Sequence, residues 1–371
     1  MNSPLDANSS PNVNKFEACI HQAGVDQGVA HCRDGTTSWF QDHYSRNLRA
    51  AIKLVLHIFN RPRAGFCEHE LDGLIGNLKL CRDLVSPDRD LVSVIEILLH
   101  NLLRSNFDQL VSMMASRKEM GVFILDLFER VRDEGERTQA IACAMHWERE
   151  SNASKLAVKH TVETAFAGNA PVKAYKLALL HKTLIPANRE AAYSLYERAK
   201  GNEALFQQEL SGEKVCRKPD PLLRPDIALI RNDLSTLKGR LDRTASIREQ
   251  LRCGVITLNF SRPHGFYLGA VFLADTGKIA ALEDLTNEVD RLWDEVTEGD
   301  GHAHHWSEAQ CSWSGLIEPR DTAKKASLML ELEYRAMCDK YVRVKGAESV
   351  PTFTLIQPAT GGVQRKGDHH E

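Results

Sequence analysis

The chain has 371 residues, of which 43% are hydrophobic and 26% charged, and its formal net charge is −3. That length allows two or three domains with a core that needs no disulfide staple. The near-neutral balance excludes the overall basic field that holds nucleic acid non-specifically, and no apolar run approaches the roughly 20 residues of a membrane span.

Nine cysteines stand at wide spacings without a C-x-x-C pair, so neither a zinc ribbon nor a thioredoxin-type pair is encoded. Free thiols in this number point to a reducing compartment, and the expected location is cytoplasmic. Residues 1–14 carry neither the basic nor the apolar region of a secretory signal. Their Ser, Asn and Pro content predicts a disordered leader of the kind also found on exported bacterial effectors.

A helical array is expected next, over 15–213. Leu48, Ile52, Val55 and Phe59 fall on one helix face, and Leu71, Leu74, Leu78, Cys81 and Val85 form a second stripe. Ser86-Pro87 reads as the start of a third helix, with Leu91, Ile95, Leu98 and Leu102 behind it. Ser105 with Asp108, and Ser116 with Glu119, have capping-box spacing. Met120, Ile124, Leu127 and Val131 line the next helix. Ile141 and Met145 are assigned to one further helix, and Val158, Val162 and Ala165 to another. Pro171 is expected to begin a helix carrying Tyr175 and Leu179. The helix with Ala192, Leu195 and Ala199 is expected to stop at Gly201-Asn202. One-sided helices in this number must stack as a bundle or an irregular solenoid.

Pro219, Pro221 and Pro225 exclude a regular helix or central strand, which predicts a hinge over 214–232. A small α+β domain is expected over 233–358. It begins with a charged helix at Asp233–Arg252. The runs GVITLNF and GFYLGAVFLA read as strands joined by the turn SRPH. Ile279, Leu282, Leu285, Val289, Leu292 and Val296 define an amphipathic helix whose other face is acidic. A polar loop holding His302, His304 and His305 should then lead to a strand at Gln310–Ile317. A helix running to Val344 and a last strand, VPTFTLIQP, complete the domain, and 359–371 is a flexible tail. The fold expectation is thus mainly α with a C-terminal α+β part: a helical bundle or irregular solenoid, then a small ββαβαβ-like domain.

Two clusters carry candidate chemistry. His302, His304 and His305 are metal-capable side chains, and on extended chain His302 and His304 point the same way. The segment HAH resembles the His-hydrophobic-His pattern of rolling-circle replication and relaxase endonucleases. That resemblance implies a divalent metal on the His pair and a nucleophilic tyrosine on a later helix, here one with Tyr334 and Tyr341. The chain departs from the pattern in having HWSE after the pair and no Tyr-x-x-Lys.

The second cluster is HCRDGTTSW, His31 to Trp39. A cysteine phosphatase would place an arginine six residues after the cysteine, where this chain has Ser38. Cys32 and Asp34 resemble the short Cys-x-Asp pattern of bacterial effector ubiquitin ligases, which implies a thiol nucleophile.

No complete catalytic motif is present, so the first functional expectation is a helical macromolecule-binding protein acting through protein partners, as a bacterial effector or mobile-element regulator does. On that reading no cofactor is needed. The alternative is an enzyme, either a metal-dependent nuclease using His302 and His304, or a thiol-dependent transferase using Cys32.

Overall fold

The computed structural model describes residues 28–40, 43–60, 68–167, 170–213, 215, 226–276, 282–344 and 353–357. The expected leader, most of the proline-rich stretch and the tail lie outside the described residues. Helices dominate, and a multi-stranded sheet accompanies them.

The helical part contains α1 (Tyr44–Asn60), α2 (Leu71–Cys81), α3 (Ser93–Leu103), α4 (Phe107–Ser112), α5 (Arg117–Arg137) and the first half of α6 (Ala140–Ala165). Their apolar stripes meet in one core that includes Leu48, Leu54, Ile58, Leu78, Leu98, Ile124 and Val131. The capping box at the start of α5 forms in full: Ser116 accepts from the Glu119 backbone, and Glu119 accepts from the Ser116 backbone.

Several expected helix limits shift. Ser86-Pro87 does not start a helix. The chain turns there into β3 (Arg89–Leu91), which pairs with β9 (Val342–Val344), and α3 begins only at Ser93. The stripes at 141–145 and 158–165 belong to one helix, α6. Its early residues Ile141 and Met145 are exposed, whereas Val158 and Val162 are buried. Gly201 does not end α7 (Arg189–Leu210), because a glycine weakens a helix without stopping it where the residues on both sides keep packing.

The largest correction concerns residues 171–185. That stretch is not a helix but β4 (Val172–His181), which pairs with β6 (Gly265–Asp275), with β7 (Gly301–His305) and with β8 (Gly315–Ile317). Ala, Lys and Leu favour helix intrinsically, but here sheet partners on both edges outweigh that preference. Beside β6 runs β5 (Leu251–Ser261), followed by β10 (Phe353–Ile356). The sheet order is β10-β5-β6-β4-β7, with β8 pairing the other end of β4, and every pairing is antiparallel. The hairpin read from GVITLNF and GFYLGAVFLA is β5–β6. The His-bearing polar loop is instead strand β7, and only the last three residues of Gln310–Ile317 are strand. The helix expected at Asp233–Arg252 is α8 (Ile227–Arg243) and α9 (Ala245–Gln250), with its last two residues in β5. The late helix, α11 (Thr322–Cys338), stops before β9.

Helices cover both faces of the sheet. On one face α8, α9 and α10 (Leu282–Val296) press Leu234, Leu237, Ile247, Leu285, Leu292 and Trp293 onto Leu177, Leu179, Ile256, Leu258, Leu268 and Phe272. On the other, the second half of α6 and helix α11 cover Val172, Ala174, Cys253, Val255, Val271 and Leu273. They cover only one end of that face. The remainder is roofed by a small hairpin, β1 (Val29–His31) and β2 (Thr37–Trp39), and a cavity lies beneath it.

Candidate functional site

The roofing hairpin turns tightly because Asp34 holds it. The Asp34 carboxylate accepts from the Thr36 backbone at 2.9 Å and from the Thr36 hydroxyl at 2.6 Å. Those bonds from Thr36 keep the Asp34 carboxyl below its ordinary range. Gly35 follows with φ +82°, a conformation that suits glycine. Arg33 anchors the turn to the segment after β4, donating its backbone N–H to the Pro186 carbonyl and its Nη2 to the Lys182 carbonyl. The His31 backbone N–H donates to His264 Nε2 at 2.8 Å. An accepting Nε2 leaves the proton of neutral His264 on Nδ1.

These anchors bring the two sequence clusters together. The His31 ring stacks on His304 with centroids 4.0 Å apart and lies edge-on to Trp306 at 5.3 Å. Thr37 Oγ1 sits 3.4 Å from both His31 Nδ1 and His304 Nε2. Burial drives the His31 pKa down to about 2, helped by the neighbouring His304, His264 and His302. Burial likewise lowers His264 and His304 to about 4. The stack is therefore neutral at ordinary pH. His31 Nε2 is buried and has no hydrogen-bond partner among the described residues, and the His31 ring lines the cavity.

The cavity measures about 160 Å³. Its walls include Trp39, Trp306, Tyr267 and His31, and its sheet side is formed by Ala178, Thr257, Asn259 and Gly269. A side chain at Gly269 would crowd its neighbours: a Cβ there would lie 2.3 Å from Asn259 Nδ2 and 2.8 Å from Thr257 Oγ1, which would have to shift. Charged side chains enter from β4 and α11. Lys176 Nζ pairs with Glu331 at 2.7 Å and lies 4.5 Å from the Trp306 ring centroid. Glu331 also accepts from Trp313 Nε1 at 2.7 Å. Burial alone would raise the Glu331 pKa, but Lys176, Arg335 and the bonds from Lys176 and Trp313 outweigh it and keep the carboxylate ionised. Arg335 donates to Asn259 Oδ1 at 2.9 Å.

The residues singled out in the sequence take different places. His304 faces the cavity region. His302 lies two residues away on the same side of β7. His305 turns to the opposite side and pairs with Asp290 at 2.9 Å. Rings stacked as His31 and His304 are do not point their in-plane lone pairs at a common centre. Among the described residues no group of three or more His, Cys, Asp or Glu is placed to hold a metal ion. Cys32 is buried against Ala30, Ala192 and Phe40, and Asp34 is an exposed turn residue. Tyr341 packs in the helical core, its carbonyl accepting from the Val92 N–H, and does not belong to the histidine stack.

Sequence reasoning passed over Lys176, His264, Trp306, Glu331 and Arg335. One signal was available: in GVITLNF the residues opposite Ile256, Leu258 and Phe260 are Val255, Thr257 and Asn259, which marks a strand face turning polar. No helix among the described residues is long and apolar enough to cross a membrane. No protein-family profile, curated protein or solved structure matches the chain.

Proposed function

We propose that the protein binds a small planar anion, one ring in size, in the cavity under the β1–β2 hairpin. The observation that carries this reading is the pairing of aromatic walls with a partly buried charged set. Volume limits the ligand: a cavity of about 150 Å³ in another protein accommodates a single benzene. The 160 Å³ here suits one ring, not a dinucleotide. Charge limits it further. With the histidines neutral, Lys176 and Arg335 face the carboxylate of Glu331, so among the described residues the lining carries one excess positive charge. Ring faces are matched by Trp39, Trp306 and the His31–His304 stack, and offset or edge-on ring contacts add about 0.5–1.5 kcal/mol beyond burial.

The test compares three single-ring probes of similar size by calorimetry and thermal unfolding: benzoate, benzamide and benzylammonium. Benzoate should bind saturably and raise Tm, and benzylammonium should not. Arg335→Gln should weaken benzoate about tenfold or more, since hydrogen bonds to a charged group contribute about 1.5–3 kcal/mol. Equal responses to all three probes, or none to any, would overturn the reading.

A further inference from the structure

A second, smaller cavity lies beside the first, and three residues, Thr257, Asn259 and Arg335, line both. The Arg335–Asn259 hydrogen bond is therefore shared by the two spaces, and both of its partners are side chains. The second cavity is about 50 Å³ and is otherwise bounded by residues including Arg89, Asp339 and Phe353.

Resting on the reading above, we infer that this second cavity is a subsite of the same ligand and takes an oxyanion group carried on a short link from the ring. Size supports it. A single water needs about 10–15 Å³ on this measure, so 50 Å³ holds a few water-sized atoms, the scale of a carboxylate or a phosphate. Charge supports it as well. Among the described residues the two spaces together hold three cations, Lys176, Arg335 and Arg89, against two carboxylates, Glu331 and Asp339, so a ligand spanning both meets one excess positive charge. Arg89 is held in place: its Nη2 donates to the Phe260 carbonyl at 3.1 Å, and its guanidinium lies 5.4 Å from the Phe260 ring centroid. An arginine fixed in this way meets an oxyanion at little further ordering cost.

The ligand class is thus an aromatic or heteroaromatic ring bearing an acidic group one or two carbons away. In the bound state the ring occupies the larger space, and Arg335 sits between the ring and the anion. Asn259 supplies a polar side chain at the same boundary.

The experiment measures affinities of the intact chain for benzoate, phenylacetate, 3-phenylpropanoate and phenyl phosphate. Affinity should rise at least tenfold from benzoate to the best of the linked anions. Arg89→Gln should remove that gain while leaving benzoate within about twofold. Should Arg89→Gln fold poorly, the wild-type series still decides the matter. Benzoate binding with no gain along the series would overturn the subsite and leave the first reading intact, whereas failure of every probe would defeat both. A gain for phenyl phosphate alone would specify the oxyanion as phosphate, and a gain for the carboxylates alone would specify it as carboxylate.

Discussion

The two faces of the sheet are made by the same strands and differ in almost everything else. Toward α8–α10, strand β5 turns Ile256, Leu258 and Phe260, β4 turns Leu177 and Leu179, and β6 turns Leu268, Ala270 and Phe272. One residue along in each strand, the opposite face receives Thr257 and Asn259, Lys176 and Ala178, and Tyr267 and Gly269. Because side chains alternate strictly, one set of three strands supplies both a dry core and a polar cavity. The closed face secures the fold, which allows the open face to keep small and polar residues where large apolar ones would pack better.

The largest effect expected is on the closed face. Leu285 and Leu292 are buried there, at 1% and 3% exposure. Leu285→Asp or Leu292→Asp places a carboxylate in apolar surroundings and should cost several kcal/mol, enough to abolish cooperative thermal unfolding. If either variant unfolded with a near-wild-type midpoint, the closed face would not be the stabilising one.

A smaller effect separates the faces by pH. Unfolded histidines take up a proton near pH 6.5, while folded His264 and His304 do so only near 4 and His31 near 2. Between those values the unfolded chain binds more protons, so stability is complete above pH 6.5 and falls as pH drops. Each of the three histidines contributes a slope of up to about 1.4 kcal/mol per pH unit, and the His264 and His304 shares end near pH 4. Urea unfolding at a series of pH values should show this decline. His264→Gln, which retains an acceptor for the His31 N–H, should flatten it by about one histidine's share.

Gly269→Ala tests the open face with less damage to the fold. The added methyl must displace Asn259 and Thr257. We expect a stability loss of about 1–3 kcal/mol, as for overpacking, with benzoate binding reduced far more than that loss would suggest. Unchanged affinity would mean that the sheet side of the cavity does not touch the ligand.

The smallest perturbation concerns the roof. Cys32 lies on the hairpin and is buried against Ala192 of α7, whereas Cys143 on α6 is exposed. Brief alkylation of the folded protein at neutral pH, followed by mass mapping, should modify Cys143 before Cys32. Faster labelling of Cys32 would show that the hairpin separates readily from α7.

Sequence periodicity revealed the elements that depend on neighbours close in the chain. The α5 capping box, the α1 and α10 stripes and the β5–β6 pair all follow from local pattern. It failed at β4, where Tyr175 and Leu179 have helical spacing and only distant partners select the strand. The site was half legible. Both histidine clusters stood out as motifs, but their meeting depends on the anchoring of the β1–β2 turn and on the placement of β7 against β4. Lys176, Glu331 and Arg335 look like ordinary surface charges until α11 is laid across the sheet.

The central position of β4 also sets a timetable for synthesis. Its register partners on β6 emerge about a hundred residues after it, Val172 pairing with Asp275, and those on β7 and β8 later still. At translation rates of about 5–20 residues per second, β4 spends roughly 5–20 seconds outside the ribosome with neither edge paired. The helices α1–α5, whose contacts lie nearer in sequence, are free to assemble during that wait. An apolar strand with two open edges is the hazardous intermediate of such a chain. Fragments ending before β6 should therefore retain helical structure yet self-associate through β4.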